Sequence, residues 1–386
     1  MHTQSNFRLL VVRLGSMGDI LHALPAVTAL RMAHPEWVID WVVEPRWRAL
    51  LAADQNAPIQ SRGPQRGVFI AGVESSRNPA QPLVDHLHFA ATKEWKKAPL
   101  SRKTLHEIKA LHSALRAGGY DAVLDLQGAI RSAVVGRLAG CRRLIGEAEP
   151  RERAARWLFT ERVITRGTHV IEQDVELASA VGGDALTPST PWLPVDPAAE
   201  AWAEQVLSPS VSKPGLPRTG LRPWGGSPPA VLINPGAGWG AKRWPIERYA
   251  AVAQALADRG LRVLVNAGPG EEPLAEAIVQ SAGAATPITC SLDQLIALTR
   301  RVALVIAGDT GPLHLACALS RPVVGIYGPT DPSRNGPYGT RFKVLRSPAS
   351  RRDHTRHRAP EAGLLTIQPE DVLRAAEELL HLGTTP

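Results

Sequence analysis

The chain of 386 residues is too long for one ordinary hydrophobic core, which favours two domains. With 44% hydrophobic and 21% charged residues, and no apolar run of roughly 20 residues, it has the composition of a soluble globular protein rather than of a membrane-spanning one. The net charge of +8 calls for an anionic partner, but the aromatic content of 5% and the lack of any RNA-binding, zinc-finger or helix-turn-helix motif argue against nucleic acid.

The three cysteines, Cys141, Cys290 and Cys317, are widely spaced and show no metal-ligand pattern. They suit a reducing compartment better than a disulfide framework. The first residues have neither the apolar core nor the small-residue cleavage site of a signal peptide. We therefore predict a cytoplasmic protein.

In the first half, apolar runs alternate with segments of helical periodicity, which predicts βαβ units and a parallel sheet. A strand at Leu9–Val12 leads through a Gly-Ser-Met-Gly loop into a helix from Ile20 to about Met32, in which Pro25 either produces a kink or marks the true start. The polar interval 53–77 is either functional or disordered. The later predicted elements are strands at Val38–Val43, His86–Ala90 and Tyr120–Leu126 and helices at Lys103–Ala117 and Ile130–Ala139.

The interval 186–229, rich in proline and glycine around a predicted helix at Ala198–Val206, is interpreted as an interdomain linker. It separates a first domain, 1–185, from a second, 230–360, that repeats the alternation. In the segment 361–386, an amphipathic helix at Pro369–Leu380 is predicted, and its packing back on the first domain is one option left open. The second domain has predicted strands at Ala230–Ile233, Arg262–Asn266, Ala303–Ala307 and Val323–Tyr327 and helices at Pro245–Arg259, Glu271–Ala282 and Pro312–Leu319.

Four glycine-rich loops occupy the position where open parallel sheets bind ligands, beyond the carboxyl ends of the strands. They are Leu14–Asp19, Asn234–Trp244, Asn266–Glu272 and Gly308–Gly311. Glycine lets backbone N–H groups approach a ligand, and the helix after each loop presents its positive end, so we predict binding of an anion such as a diphosphate. The chain has neither a Walker A motif nor GxGxxG after its first strand, which argues against a P-loop NTPase or an ordinary dinucleotide enzyme.

The residues alone leave two interpretations for three of the four candidate side chains. Asp19 either caps the helix that follows it or takes part in binding or catalysis. Asp309, directly before a helix opened by proline, is interpreted as structural. His314 contacts phosphate or only packs in the first turn of its helix. Lys242 is a solvated loop lysine or stabilises a phosphate leaving group.

Five segments in order along nearly the whole chain resemble glycosyltransferase family 9, the ADP-heptose:lipopolysaccharide heptosyltransferases. They are RLGSMGDILHALPAVTALR, DLQGAIRS, NPGAGWGAKRWP, GDTGPLHLACAL and VGIYGPTDP. The SMGDILHALPA opening and WVVE at Trp41–Glu44 are most similar to heptosyltransferase I, which adds the first heptose to a Kdo sugar of the inner core. The resemblance implies an α/β protein of the GT-B fold, with two Rossmann-like domains whose parallel sheets face a central cleft. The acceptor would bind the first domain and ADP-heptose mainly the second.

The resemblance also implies an inverting transfer of L-glycero-D-manno-heptose to a Kdo-lipid A acceptor, with no cofactor and no essential metal. Asp19 would be the general base. The donor-binding residues implied by similarity are Lys242, Glu271 or Glu272, Asp309, Thr310, Gly311 and His314. The implied acceptor-binding residues are Ser16, Met17, Gly18, Lys93, Lys96, Lys97, Gln127 and Arg131.

The partners implied are a nucleotide-sugar donor and an anionic lipid-linked Kdo acceptor, with peripheral contact on the cytoplasmic face of the inner membrane. The basic set around Trp95 that would face the acceptor is also open to interpretation as a solvated surface: Lys93, Lys96, Lys97, Arg102 and Lys103. The interval 53–77 is longer than we expect for heptosyltransferase I, and the basic run 347–360 lacks the cysteines of several relatives. Another donor, a later core acceptor as for heptosyltransferase II, or a non-catalytic nucleotide- or lipid-binding protein therefore stays open.

Overall fold

A computed structural model of the protein describes residues 7–53, 82–208, 228–352 and 358–381. The chain divides into two compact units, Met1–Pro194 and Val195–Pro386, and each contains a six-stranded parallel sheet. The polar interval predicted at 53–77 lies outside the described residues except for Ala53, as do 209–227 of the predicted linker and 353–357 of the basic run.

The first unit has the strand order β3-β2-β1-β4-β5-β6, with the point of reversal between β1 and β4. This is the order of doubly wound dinucleotide-binding folds, which bind ligands at that point. Its strands are β1 Arg8–Val12, β2 Val38–Val43, β3 His86–Phe89, β4 Ala122–Asp125, β5 Leu144–Glu147 and β6 Glu161–Val163. Its α-helices are α1 Met17–Ala33, α2 Thr92–Lys97, α3 Arg102–Ala117, α4 Ile130–Leu138 and α5 Val170–Gly182.

The register of β1 brings two loops together at the carboxyl edge of this sheet. Val12, the last residue of β1, pairs with Val42 of β2 and with Asp125 of β4. The loops that follow β1 and β4 therefore leave the sheet side by side. This is why Asp19 and Gln127, more than a hundred residues apart in sequence, belong to the same local structure.

Helix α1 begins three residues earlier than the sequence predicts, at Met17 rather than Ile20. Pro25 lies inside the helix and does not mark its start. Nearly every residue of α1 is buried, and the helix packs against α5, which the sequence analysis did not identify. Because α1 is apolar on all sides, it lacks the one-sided periodicity by which a surface helix is recognised.

The second unit repeats the same strand order as β12-β11-β10-β7-β8-β9. Its strands are β7 Ala230–Asn234, β8 Arg262–Ala267, β9 Thr286–Thr289, β10 Leu304–Gly308, β11 Val323–Tyr327 and β12 Phe342–Arg346. Its α-helices are α6 Pro197–Leu207, α7 Ile246–Asp258, α8 Glu272–Ala282, α9 Leu292–Arg301, α10 Gly311–Ala318, α11 Pro332–Asn335 and α12 Pro369–Leu380.

Two helices near the boundaries of the second unit belong to its packed structure. Helix α6 lies on α9, where Glu200 forms ion pairs with Arg300 and Arg301. Helix α12 packs on α7 and on the strands β10 to β12, and Val372 and Ala376 join the core there. Across the described parts of the chain, no helix combines the length and the apolar character needed to cross a membrane.

Candidate functional site

In the first unit, Asp19 is the third residue of α1 and its carboxylate caps the helix. Oδ2 accepts hydrogen bonds from the backbone N–H of Ser16, at 2.7 Å, and from the Ser16 hydroxyl, at 3.1 Å. The Asp19 side chain is nevertheless 33% exposed. One carboxylate oxygen thus serves the helix terminus, while the other is available for a second task.

The second oxygen of Asp19 faces Arg13, the first residue after β1. Arg13 Nη2 lies 3.6 Å from Asp19 Oδ1, and Arg13 Nε donates a hydrogen bond of 3.1 Å to the backbone carbonyl of Asp19. The Arg13 side chain is only 7% exposed. A buried positive charge therefore lies behind the candidate base, a contact that the sequence analysis did not predict.

The loop before α1 is held by its neighbours. Gln127 Oε1 accepts a hydrogen bond of 2.8 Å from the N–H of Leu14, which joins the β4 loop to the β1 loop. Gly15 has φ +147°, and a Cβ at this position would lie 2.6 Å from Trp47 Nε1, so only glycine fits. Of the other predicted acceptor residues, Ser16 is exposed, Met17 is buried and Gly18 lies in the first turn. Gln127 is thus a scaffold of this loop.

Two buried carboxyl groups, Asp125 and Asp174, lie within electrostatic reach of Arg13. Burial raises the pKa of Asp125 to about 6, although it accepts hydrogen bonds from the N–H groups of Gln127 and Gly128. Burial likewise raises the pKa of Asp174 to about 7, with the charge of Arg13 acting in the opposite direction. Neither was predicted from the sequence, and the stretch 170–182 contains three acidic residues, so nothing in the sequence singles out Asp174.

The predicted acceptor lysines lie on the short helix α2. Lys93, Lys96 and Lys97 are exposed, and Lys97 forms an ion pair of 2.9 Å with Glu94 on the same helix. Arg131 is exposed in the first turn of α4, directly after the loop that contains Gln127. Arg131 therefore lies next to the loop that Gln127 joins to the Asp19 loop, whereas the lysines lie on a separate helix.

In the second unit, Lys242, Asp309 and His314 form a compact charged cluster. Lys242 donates to Asp309 Oδ2 in an ion pair, and His314 Nε2 lies 3.2 Å from Asp309 Oδ1. Only 10%, 9% and 6% of the three side chains is exposed, in that order. The Lys242 ammonium also lies 4.2 Å from the centre of the Trp239 ring. Asp309 is thus the centre of a buried ion cluster.

The ionisation of Asp309 follows from these contacts. Its burial alone would raise the pKa, but the hydrogen bond from His314 and the positive charge of Lys242 hold the pKa of Asp309 well below its usual range. The cluster lies where β10 meets α10, whose N-cap is Thr310 and whose first residue is Gly311. A helix N-terminus and a lysine together provide the positive potential that an anionic ligand requires.

Glu271 lies in the neighbouring loop, between β8 and α8. Its Oε2 accepts a hydrogen bond of 3.3 Å from the N–H of Gly268. A Cβ at Gly236, in the loop after β7, would overlap with the same carboxylate. Glu272 is the first residue of α8. The structure thus brings Glu271, rather than Glu272, into contact with the loop that leads to Lys242.

Strands β10, β7 and β8 are neighbours in the sheet, so the three loops that contain the predicted donor residues leave the same edge of the second unit. Among the residues that the structure describes, no group of three His, Cys, Asp or Glu side chains is arranged to hold a metal ion. The chemistry that the arrangement offers is anion binding in this unit and a partly exposed carboxylate in the first.

Comparison with known proteins identifies the family. Residues 108–364 match the family model Glycosyltransferase family 9 (heptosyltransferase). Lipopolysaccharide heptosyltransferase 1 of Escherichia coli K12 is 31% identical over 88% of this chain and 94% of its own length. Its counterpart in Escherichia coli O18:K1:H7 is 30% identical over 89% and 92%, respectively.

Solved structures show the same architecture. E. coli heptosyltransferase WaaC with ADP has a TM-score of 0.71 and 26% identity, covering 97% of this chain and 100% of that one. The complex of WaaC with ADP-2-deoxy-2-fluoro heptose has a TM-score of 0.69 and 25% identity, covering 96% and 99%. The two Rossmann-like units have the α/β GT-B fold of these enzymes. The chain belongs to glycosyltransferase family 9, the heptosyltransferases, and is a glycosyltransferase.

Proposed function

We propose that this enzyme transfers L-glycero-D-manno-heptose from ADP-heptose to a Kdo residue of the lipopolysaccharide inner core, with inversion at the anomeric carbon. The observation that carries the proposal is the carboxylate of Asp19, which caps α1 with one oxygen while its side chain remains 33% exposed. Two relatives named lipopolysaccharide heptosyltransferase 1 and the WaaC structure with an ADP-heptose analogue support the choice of donor and acceptor class.

In the proposed reaction, Asp19 accepts the proton of the acceptor hydroxyl as its oxygen attacks the anomeric carbon of heptose. The bond from that carbon to the β-phosphate oxygen breaks, and ADP leaves with the electron pair. Lys242 and the N-terminus of α10 stabilise the negative charge that develops on the diphosphate. Because these groups supply positive charge, the proposed transfer needs no metal ion. Glu271 is proposed to bind the adenosine ribose.

The paired state of Lys242 has a consequence for donor binding. In the structure its ammonium is held by Asp309, so the donor phosphates and Asp309 would share the lysine. Thr310, Gly311 and His314 lie at the same helix terminus and are proposed to line the diphosphate site. We place the anionic acceptor at Ser16, Gly18 and Arg131, with the α2 lysines as outer contacts that also favour the anionic cytoplasmic face of the inner membrane.

A donor and acceptor screen tests the proposal. The enzyme is incubated with ADP-heptose or with other nucleotide sugars and with Kdo-lipid A, and products are identified by mass spectrometry. We expect heptose addition with ADP-heptose and none with Asp19→Asn. Transfer only to an acceptor that already carries heptose would reassign the enzyme to a later core step. Nucleotide binding with no turnover of any donor would favour a binding protein instead.

A further inference from the structure

Arg13 is the most deeply buried charge that contacts the candidate base. Its backbone is fixed on both sides, because its N–H donates to the Val42 carbonyl at 3.3 Å and its carbonyl accepts from Trp41 Nε1 at 3.0 Å. With the backbone held in this way, the guanidinium has a defined direction toward α1. It meets Asp19 there through both the backbone carbonyl and the carboxylate.

A guanidinium remains charged at all relevant pH values, so a buried arginine needs an ionised neighbour. Three carboxyl groups from three elements interact electrostatically with Arg13, and Asp19 on α1 is in direct contact with it. The other two are Asp125 at the end of β4 and Asp174 on α5. Oδ2 of Asp125 and Oδ2 of Asp174 are buried and accept no hydrogen bond from the described residues. Such poorly solvated oxygens disfavour ionisation.

Burial accordingly raises the pKa of Asp125 to about 6 and that of Asp174 to about 7. Asp19 differs from both in that its carboxylate is partly exposed and its Oδ2 is fully hydrogen-bonded by Ser16. Among the described residues, Asp19 is the one of these three carboxylates that forms an ion pair with Arg13, at 3.6 Å. The charge of Arg13 and the orientation of Asp19 are coupled.

We propose that Arg13 is the positioning residue of the general base, holding the first turn of α1 and Asp19 Oδ1 in the geometry that receives the acceptor proton. This inference rests on the proposed role of Asp19. Arg13 acts through Asp19 and contacts neither substrate in the proposal. A displacement of about 1 Å at a reacting group can cost roughly a hundredfold in rate, so loss of this contact has a measurable kinetic signature.

Arg13→Gln and Arg13→Lys test the proposal in the full-length enzyme, with kcat, the KM for ADP-heptose, the Kd for ADP and the Tm measured for each. For Arg13→Gln we expect kcat to fall roughly 10- to 100-fold, while the Kd for ADP changes less than about twofold, because a donor site in the second unit is untouched. Arg13→Lys keeps the charge, so the fall in its log kcat should be at most half of that for Arg13→Gln. A general structural defect would not lower kcat while leaving the Kd for ADP unchanged, and lysine would not restore kcat.

Arg143→Gln is the matched control. Arg143 donates to Glu161 at 2.7 and 3.0 Å in the same unit, so its loss removes a comparable ion pair that is not in contact with Asp19. We expect its kcat to equal that of the wild type. The proposal is overturned if Arg13→Gln keeps wild-type kcat, or if both Arg13 variants lose activity equally and in proportion to a fall in Tm. Unimpaired turnover by Asp19→Asn would instead refute the base assignment, independently of Arg13.

Discussion

Each unit has an aspartate at the junction of a strand and a helix, but the two aspartates differ in exposure and in their partners. In each, a strand of a parallel sheet ends in a short glycine-containing turn, and an aspartate stands at or near the start of the next helix. Asp19 in the first unit is 33% exposed and bonds mainly to its own helix terminus. Asp309 in the second is 9% exposed and lies between Lys242 and His314.

This difference shows that the partners of a carboxylate, rather than its place in a motif, decide what it can do. A carboxylate that is to accept a proton must be reachable from outside the protein, and the Asp19 side chain is 33% exposed. A carboxylate held by a lysine and a histidine, with its pKa lowered, is a poor base but organises the groups around it, as Asp309 does.

The largest effect is expected from Asp19→Asn. Asparagine still caps a helix N-terminus but cannot take up the acceptor proton, so kcat should fall by about 10²- to 10⁴-fold. The Tm and the Kd for ADP should stay close to wild type, as measured by calorimetry. Asp309→Asn should instead lower the Tm, because it leaves the buried Lys242 without its counter-charge. If the two variants changed kcat and Tm equally, the proposed difference between Asp19 and Asp309 would be wrong.

The next effect concerns the cation of the second unit. Lys242→Gln removes a charged contact to the diphosphate, and such contacts contribute about 1.5–3 kcal/mol, so the Kd for ADP should rise roughly 10- to 100-fold. Isothermal titration calorimetry measures this directly. Lys343→Gln, which removes an exposed lysine paired with Glu378 in the same unit, is the control and should leave ADP binding unchanged. Unaltered ADP affinity in Lys242→Gln would assign the lysine to structure alone.

A smaller effect, on stability, is expected at Asp174. Its folded-state pKa of about 7 is above its usual value of 3.8, so the folded protein binds the extra proton and loses stability as the pH rises between those values. Asp174→Asn mimics the neutral form and escapes that loss. Relative to wild type, the variant should gain about 2 kcal/mol more at pH 8 than at pH 5. Urea unfolding at both pH values measures it.

The exposed Asp258→Asn is the control for this titration and should show the same small change in stability at pH 5 and at pH 8. An Asp174→Asn variant that is destabilised equally at both pH values would show that Asp174 is ionised and paired in the folded protein. In that case Arg13 would have a second charged partner besides Asp19, and the two carboxyl groups would compete for it.

The smallest effect is expected at Gly236. A Cβ there overlaps with the Glu271 carboxylate, so Gly236→Ala should displace Glu271 and weaken ADP binding a few-fold. Gly238→Ala is the matched variant, because a Cβ at Gly238 has no neighbour within 4 Å among the described atoms. Both are measured by titration with ADP. Identical affinities for the two variants would argue against a role of Glu271 in binding the nucleotide.

Much of the architecture was accessible from local patterns. The alternation of apolar runs and helical segments predicted parallel α/β units, and strands such as Val38–Val43 and Val323–Tyr327 have the predicted bounds. Helix α5 was missed, because the predicted elements of the first half ended at Ala139. The strands β5 and β6 were missed because their sequences, LIGE and ERV, do not form continuous apolar runs.

Some residues of the candidate site were likewise predicted from the sequence, and others were found only in the structure. Asp19, Lys242 and Asp309 were identified from glycine-rich turns and from the family resemblance, since both depend on residues that are close in sequence. Arg13, Asp125 and Asp174 were not identified. Their relation depends on the pairing of β1 with β4 and on the packing of α5 against α1, which bring residues 13, 125 and 174 together.

The sequence by itself thus determined the fold class, the family and the loops that contain the candidate residues, because these depend on periodicity and on short motifs. Only the tertiary structure decided how each charged group is paired. It showed that one oxygen of Asp19 caps α1 while Arg13 lies behind the other, and that Asp309 binds Lys242. Burial and the partners contributed by distant elements set the charge and direction of a carboxylate, and neither is encoded in its immediate sequence neighbours.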